Sequence, residues 1–557
     1  MNLFRFSMYG IACSLLALVF ILNTASPDGQ IFWHLLAKHD KSAAWLMLGM
    51  LAIGHWFGSR RSGGDTWLES LVLTLDRLRY VAAAVLWLIL CAGSLWVYQN
   101  HPLSMDEYAV VFQAKIFAAG AMHGQFPPDL LDYLIPPRFQ NQFLMVNRNT
   151  GAVFSAYWPG FSVLLTPFVW LGIPWACNPT LVAASFLLIG RMARDLIASP
   201  FAAGWALLFA LASPAFVANG ITYYSMPAHL LFNLGFAWLL LAPSPLRMFL
   251  AGIVGGFALS LHNPFPHTVF AAPWILWLAT RRGQRLRNMV YLLAGYLPMV
   301  LLLVIGWSLW KQDALHVGAL ANGLVQAGGN LHPTMLQHTL SVFHGFLRVI
   351  SWPADPEIIL ARSAGLVKLW LWASPLLLLF AWWGWRGEKQ PALRLLGSSA
   401  LWTFFAYFLI LFDQGHGWGY RYFHSAWGVL PVLAVLGTIK LAALDGQRVF
   451  KQVAMLALMS LVAANALRFV QMGEFMQAHL AQFPPRVEAE RRIVLHNGLG
   501  YYPYDLIQND PWLRGDQIIM FARTAEDAEK IRKHFPAARE VAANRYGKTL
   551  VDAGAGQ

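Results

Sequence analysis

The chain has 557 residues, of which 57% are hydrophobic and 12% are charged. Soluble domains contain about 45–50% apolar and about 25% charged residues, so this composition excludes a water-soluble globular protein. The 40 Lys and Arg residues outnumber the 27 Asp and Glu residues and give a net charge of +13. In a membrane protein such an excess is explained by its position along the chain, so we expect a lipid bilayer and no nucleic acid as partner.

Apolar runs of about 17–25 residues predict helices long enough to cross about 30 Å of hydrocarbon. The sequence contains thirteen such runs, at about 7–25, 43–58, 80–99, 160–190, 199–214, 228–243, 248–262, 267–280, 289–310, 365–383, 395–412, 425–440 and 452–470. The run 160–190 contains three prolines, and we interpret it as a short helix from Phe161 to Trp170 that leads into one crossing. The predicted fold class is therefore a polytopic α-helical membrane protein with about thirteen transmembrane helices.

Basic residues cluster at every second crossing, which predicts that the N-terminus is cytoplasmic. Under this topology 18 basic residues lie in short cytoplasmic segments and 9 lie in the longer outer loops. The cytoplasmic group comprises Arg5, Arg60, Arg61, Arg77, Arg79, Arg191, Arg194, Arg247, Arg281, Arg282, Arg285, Arg287, Arg386, Lys389, Arg394, Lys440, Arg448 and Lys451. The outer group comprises Lys38, Lys41, Lys115, Arg138, Arg148, Lys311, Arg348, Arg362 and Arg421.

The segments divide the chain into three parts. Residues 1–79 form an N-terminal transmembrane hairpin with a cytoplasmic loop, and residues 80–470 form the main transmembrane domain with long outer loops at 100–159 and 311–364. Residues 471–557 are predicted to be a small soluble α/β domain on the outer, periplasmic side. In that tail, 492–495 and 517–521 have the pattern of short strands, and Thr524-Ala525-Glu526-Asp527 is a capping box that opens a helix ending near His534.

Two adjacent carboxylates, Asp106 and Glu107, follow the third predicted span and precede a helical stretch, 109–117, whose apolar face could lie in the membrane interface. Carboxylates at a membrane surface are costly and usually serve a function. The alternative interpretation is that both acids only cap this helix, where the helix dipole favours negative charge.

Asp106 and Glu107 lie near the start of the first outer loop, and Tyr157 and Trp158 lie at its end. The same loop also contains Arg138 and Arg148. Two later outer turns carry further polar residues. The turn between adjacent spans at 262–267 begins and ends with His262 and His267, and we expect both imidazoles at the membrane surface near a lipid phosphate. The glycine-rich turn before a later span contains His416, Tyr420 and Arg421. As alternatives, the histidines cap helix ends and Arg421 reaches lipid headgroups.

An Asp-Glu pair after an early span, a long outer loop closing on a Tyr-x-Pro motif, many spans and a folded outer C-terminal part resemble the GT-C glycosyltransferases. Within that class the pattern is similar to the protein O-mannosyltransferases and the bacterial lipid A aminoarabinose transferases. The resemblance covers about residues 80–469. It departs from these relatives in the added hairpin before residue 79, and in the two histidines where relatives often have a lysine.

The resemblance implies an enzyme of the bacterial inner membrane that transfers a sugar from a polyprenyl-phosphate donor to an acceptor hydroxyl on a lipid, glycan or protein. It implies Asp106 as the catalytic base, with Glu107 as its neighbour. His262, His267 and Arg421 would hold the phosphate leaving group, so no metal or other cofactor is required. One base and one displacement predict inversion at the anomeric carbon.

Two other functions stay open at this point. A ligase or polymerase of the O-antigen type would move a whole glycan from a polyprenyl diphosphate, although its usual pattern lacks the early acidic pair. A transporter or flippase for lipid-linked sugars would place ionisable residues in mid-membrane within paired repeats, and the sequence contains no visible repeat.

Overall fold

The computed structural model describes residues 2–25, 30–59, 66–280, 285–321, 349–350, 355–412, 414–489 and 491–552. The predicted cytoplasmic positions Arg60, Arg61, Arg281 and Arg282 lie outside the described residues, as do Arg348 and most of the segment 311–364. The described chain is mostly helical and divides into two compact units. Unit 1 comprises Met1–Val97, Asn178–Leu301 and Phe343–Gln471, and unit 2 comprises Tyr98–Cys177, Leu302–Val342 and Met472–Gln557.

The described α-helices follow one another along the whole chain. Up to residue 240 they are Leu3–Leu22, Ile31–Leu35, Lys41–Ser59, Thr66–Arg77, Arg79–Trp96, Met105–Ala118, Leu131–Leu134, Gly160–Trp170, Cys177–Leu196, Ala202–Leu211, Pro214–Ala218 and Met226–Leu240. The later helices are Pro245–Ser260, Phe265–Thr280, Arg285–Met299, Trp307–Ala321, Pro356–Leu371, Leu377–Trp385, Pro391–Ala406, Arg421–His424, Val429–Asp445, Arg448–Met459, Asn465–Leu480 and Ala525–His534. Wider π-helical turns occur at Leu36–Asp40, Val300–Gly306 and Ser460–Ala464.

Six of the described helices are long and apolar enough to cross a membrane, and a seventh span results if two helices bent by 67° are counted as one. The six are Leu3–Leu22, Arg79–Trp96, Pro174–Leu196, Leu286–Leu315, Pro391–Leu409 and Arg448–Leu480, and the bent pair is Ala202–Leu211 with Pro214–Ile221. The run 160–190 is divided as expected, into the short helix Gly160–Trp170 and the longer helix that ends at Leu196. The outer faces of these helices are apolar: Leu16 and Leu88 are more than half exposed, as lipid-facing side chains are.

Helix starts in unit 1 follow local signals. The helix Pro245–Ser260 has Pro245 at its first position, where the missing N–H costs nothing, and the hydroxyl of Ser244 accepts the backbone N–H of Arg247 at 3.3 Å. The helix Pro356–Leu371 starts in the same way, with Asp355 accepting the N–H of Glu357 at 2.7 Å.

The described residues of unit 2 form two small sheets. The first is antiparallel, in the order β1-β3-β2, with β1 at Gly124–Gln125, β2 at Leu144–Val146 and β3 at Ala152–Ser155. The second has the order β5-β4-β7-β6, with β4 at Arg492–His496, β5 at Gln517–Phe521, β6 at Ala538–Asn544 and β7 at Gly547–Asp552. β4 runs parallel to β5 and antiparallel to β7, and the helix Ala525–His534 connects β5 to β6.

The first outer loop and the C-terminal tail share one hydrophobic core within unit 2. Phe112 and Phe126 from the loop pack in the same cluster as Ile493, Ile518 and Leu550 from the tail, and all five are essentially buried. The tail therefore belongs to the same compact unit as the loop that carries the acidic pair. The helix Met105–Ala118 is accordingly buried on most of its sides, not on one apolar face alone.

Candidate functional site

The acidic pair lies in the first turn of the helix Met105–Ala118, which begins after Ser104. Free backbone N–H groups and the helix dipole favour negative charge at this position. A carboxylate from the tail caps the helix directly, because Asp505 accepts the backbone N–H of Met105 at 2.9 Å. The position of the acidic pair is thus set by a residue 400 positions further along the chain.

Glu107 is the buried member of the pair, with no exposed surface. Its carboxylate accepts the hydroxyl of Tyr98 at 3.1 and 3.2 Å and the backbone N–H of Leu103 at 2.5 Å. These bonds hold the segment that leads into the helix. The Glu107 carboxylate thus points into the protein interior and links Tyr98 to Leu103.

Asp106 is the half-buried member of the pair, and its carboxylate accepts a hydrogen bond from the hydroxyl of Tyr157. The structure thus brings together the two ends of the first outer loop, which the sequence motifs single out. Trp158 follows Tyr157, is half-buried, and precedes the helix Gly160–Trp170. A partly exposed carboxylate oriented by a tyrosine hydroxyl is able to accept a proton from a bound hydroxyl group.

Two residues that the sequence motifs did not indicate hold the Tyr157 turn. The indole N–H of Trp307 donates to the backbone carbonyl of Tyr157 at 3.1 Å, and the ammonium of Lys311 donates to the carbonyl of Ala156 at 2.6 Å. Trp310 stacks on Trp307 with ring centroids 4.7 Å apart. The signal for this group is the spacing of the two tryptophans and the lysine, which lie three and four residues apart on one helix face.

Arg138 and Arg148, both predicted ligand-binding residues, have partners inside unit 2. The guanidinium of Arg148 lies 2.7 Å from a carboxylate oxygen of Asp132, and this pair is largely exposed. The Arg148 guanidinium donates hydrogen bonds to Asp132, and these bonds lower the pKa of that carboxyl. Arg138 stacks on the ring of Tyr504 at 3.8 Å. Both arginines thus have partners within unit 2, and their role in ligand binding stays a prediction.

The predicted exposure of both histidines at 262–267 is wrong for His267. The helix Phe265–Thr280 begins inside this turn, so His267 falls in its first turn and is only 1% exposed. Its two ring nitrogens lie 2.8 Å from the side-chain oxygen of Asn233 and 2.6 Å from the hydroxyl of Tyr296. Since buried polar groups need such partners, His267 is a packing residue of unit 1. His262 stays half-buried in the turn.

Arg421 stands at the end of a tightly folded turn in unit 1. Its guanidinium donates to the backbone carbonyls of Gln414 and His416, both at 2.6 Å, and lies 4.1 Å above the ring of Tyr224. The side-chain oxygen of Gln414 also accepts the backbone N–H of Arg421 at 3.1 Å. Gly417 has φ +135°, and a Cβ there would collide with the arginine side chain, so only glycine allows this path.

The rest of the turn is buried. His416 and Tyr420 are 7% and 5% exposed, and the ring of Tyr420 packs so closely on Gly365 that any larger residue there would collide with it. Arg421 itself is half-buried. The turn is therefore a rigid element that presents one partly accessible cation, whose planar fork suits a phosphate.

Among the residues that the structure describes, no three or more His, Cys, Asp or Glu side chains are grouped so as to hold a metal ion. Of the predicted site residues, Asp106, Glu107, Tyr157 and Trp158 belong to unit 2, with Arg138 and Arg148. His262, His267, His416, Tyr420 and Arg421 belong to unit 1.

Comparison with known proteins finds similar solved structures, among them two crystal structures of the same protein. A crystal structure of ArnT from Cupriavidus metallidurans bound to undecaprenyl phosphate has a TM-score of 0.49 and 13% identity, over 86% of this chain and 98% of that chain. A crystal structure of ArnT from the same organism in the apo state has a TM-score of 0.48 and 13% identity, over 85% of this chain and 97% of that chain. No protein-family model and no curated protein sequence matches the chain. A similarity at this level assigns neither an activity nor a residue role to this chain.

Proposed function

We propose that this protein is an integral-membrane glycosyltransferase that moves a sugar from a polyprenyl-phosphate donor to an acceptor hydroxyl. In this proposal the chain crosses the bacterial inner membrane thirteen times, with its N-terminus in the cytoplasm. The first outer loop and the C-terminal tail lie in the periplasm, where the reaction takes place. The acceptor is a lipid, a glycan or a protein hydroxyl.

The observation that carries the proposal is the different environment of the two adjacent acids. Glu107 is fully buried and accepts hydrogen bonds from Tyr98 and Leu103, whereas Asp106 is half-buried and accepts a hydrogen bond from Tyr157. Asp106 keeps part of its surface accessible, whereas its neighbours on both sides in the helix, Met105 and Glu107, are buried. We infer that Asp106 is the general base, and that Glu107 and Tyr157 position it.

The proposed reaction is a single displacement at the anomeric carbon. Asp106 takes the proton of the acceptor hydroxyl as its oxygen bonds to that carbon, and the bond from carbon to phosphate oxygen breaks with inversion. Charge then grows on the phosphate, which cations stabilise. In the unit of Asp106, Arg138 and Arg148 stay candidate cations, and Lys311, beside the Tyr157 turn, is a further one. In unit 1 the candidates are Arg421 and His262, while His267 no longer belongs to this set. These side chains do what a metal ion does elsewhere, so the proposal requires no metal.

The test uses purified full-length protein in lipid nanodiscs, with polyprenyl-phosphate mannose and polyprenyl-phosphate aminoarabinose as donors. Lipid A and a serine-containing peptide serve as acceptors. We expect transfer of one sugar that persists in EDTA and falls by about 10²–10⁴-fold in Asp106→Asn, with donor binding retained. Asp132→Asn is the matched control, because Asp132 is an exposed acid of the same unit.

Other results would identify another function. Normal turnover by a folded Asp106→Asn protein would remove the base from the mechanism. Consumption of a polyprenyl-diphosphate glycan in place of the monophosphate donors would identify a ligase or polymerase. Movement of the donor across the bilayer without cleavage of its sugar bond would identify a transporter.

A further inference from the structure

Asp40 is a completely buried carboxylate in unit 1 that meets two buried cations. Its two oxygens lie 2.8 Å from the ammonium of Lys368 and 2.8 Å from the guanidinium of Arg468. All three side chains are at most 2% exposed. The three formal charges add to one net positive charge, so the group is not a simple neutral pair. Buried ion pairs contribute little net stability against apolar packing, so their presence calls for another explanation.

The same carboxylate binds a tryptophan. The indole N–H of Trp372 donates to Asp40 at 2.7 Å, and the guanidinium of Arg468 lies 3.9 Å above the Trp372 ring. The backbone carbonyl of Trp372 accepts the N–H of Ala215 at 2.8 Å. Trp372 is therefore held in three ways: its indole N–H binds Asp40, its ring packs against Arg468, and its backbone carbonyl binds Ala215.

Trp372 in turn supports the turn that carries Arg421. Gly419 has φ +72°, and its backbone lies beside the Trp372 ring, since a Cβ added at that position would lie 3.4 Å from the ring. The ring centroid of the neighbouring Trp418 lies 6.4 Å from that of Trp372 and 6.2 Å from that of His39, the residue before Asp40. The carbonyl of Gly419 is held by the Gln414 side chain at 3.1 Å, the same side chain that binds the backbone of Arg421.

We propose that Asp40 is a positioning residue for Arg421, acting through Trp372 and the turn 414–421. Asp40 lies in the N-terminal segment that precedes the helix Lys41–Ser59, within the hairpin that departs from the resembled family. That segment thus supplies a support for the turn, and it is more than an added membrane anchor. The consequence for donor binding rests on the proposed function of Arg421, whereas the mechanical role does not.

The first experiment compares two tryptophans of neighbouring position. Trp372→Phe removes the indole N–H that binds Asp40. Trp370→Phe is the matched control, since Trp370 is also buried. Its indole N–H also donates to the N-terminal segment, to the hydroxyl of Ser14 at a distance of 3.0 Å. Hydrogen exchange of peptide 414–424 in nanodiscs is measured together with the melting temperature and donor kinetics.

We expect Trp372→Phe to speed exchange in this peptide by about fivefold or more, while Trp370→Phe leaves it unchanged at a similar melting temperature. The KM for donor should rise in Trp372→Phe with kcat little changed, because binding and not chemistry is disturbed. Equal exchange in both variants would overturn the inference. Faster exchange in Trp372→Phe with normal donor KM would support the mechanical role and count against the proposed function of Arg421.

A second comparison tests Asp40 without changing the charge of the group. Asp40→Asn with Lys368→Met and Asp40→Ala with Lys368→Met both keep one net positive charge, but only the asparagine retains an acceptor for Trp372. We expect the asparagine double variant to protect the turn nearly as well as the unmodified protein does, and the alanine double variant to lose this protection. Identical exchange in the two double variants would overturn the inference even if Trp372→Phe behaves as expected.

Discussion

Tyr108 and Asn509 exchange two hydrogen bonds across 401 positions of sequence. The hydroxyl of Tyr108 donates to the backbone carbonyl of Asn509 at 2.7 Å and accepts its backbone N–H at 2.8 Å. The side chain of Asn509 pairs with the backbone of Ile519 in β5, with both of its bonds at 2.8 Å. The helix that carries Asp106 is therefore tied directly to the sheet of the tail.

The first prediction concerns this link. Tyr108→Phe keeps the buried ring but leaves the N–H and carbonyl of Asn509 without their partner. Unsatisfied buried groups cost about 1–3 kcal/mol, so we expect a lower melting temperature of the protein in detergent. Tyr133→Phe is the control, because Tyr133 is partly buried against the same core. Equal melting temperatures for the two variants would contradict the importance of the link.

A second prediction separates the two acids by stability. Glu107→Gln replaces one of the two carboxylate oxygens, which accept hydrogen bonds from Tyr98 and Leu103, with an NH₂ group that cannot accept them. We expect it to lower the free energy of unfolding by about 1–3 kcal/mol, and Asp106→Asn to lower it less, because Asp106 is only half-buried. Thermal unfolding of both variants at equal expression is the measurement. The opposite order would show that Asp106 is the structural member of the pair.

Local signals made much of unit 2 predictable. The strands expected at 492–495 and 517–521 are β4 and β5, and the helix from Ala525 ends at His534 as expected. Both bonds of the capping box are present, between Thr524 and Asp527. A capping box and a β-branched apolar run act through neighbouring residues, so a single sequence contains the information that they need.

Long-range partners were not predictable in this way. Nothing in the sequence around Asp505 indicates that it caps Met105, because a cap from a distant residue depends on the fold of the whole unit. The prediction that His267 lies at the membrane surface was wrong for a related reason. Because the helix starts at Phe265, the imidazole of His267 faces Asn233. Only the packing of neighbouring helices determines that direction.

A third prediction addresses the side of the membrane on which unit 2 lies. Thr150 and Thr524 are both exposed positions of unit 2. Single cysteines placed there, in a chain without its three native cysteines, should both react with an impermeant maleimide added to spheroplasts. Lys389→Cys, in a predicted cytoplasmic turn, should react only after permeabilisation. Labelling of the two unit 2 positions from opposite sides would contradict the thirteen-span topology.

The last prediction concerns Arg421 as a phosphate ligand. Its guanidinium is half-buried, folded against two carbonyls and the Tyr224 ring, and fixed by the turn that requires Gly417. A charge-assisted contact to phosphate contributes about 1.5–3 kcal/mol, so Arg421→Ala should weaken binding of undecaprenyl phosphate by about 10- to 100-fold. Arg421→Lys should recover only part of the affinity, because an ammonium lacks the bidentate fork.

The control for Arg421 is Arg386→Ala, an exposed arginine of unit 1 in a predicted cytoplasmic turn. Its removal should leave lipid binding unchanged, since its side chain is exposed and the predicted topology places it on the opposite, cytoplasmic side. Binding is measured by titrating each variant in detergent with undecaprenyl phosphate, and the melting temperature reports whether loss of the two carbonyl contacts has loosened the turn. If Arg421→Ala bound the lipid as well as Arg386→Ala at equal stability, Arg421 would be a residue that closes its own turn, and the phosphate would have to bind to other cations.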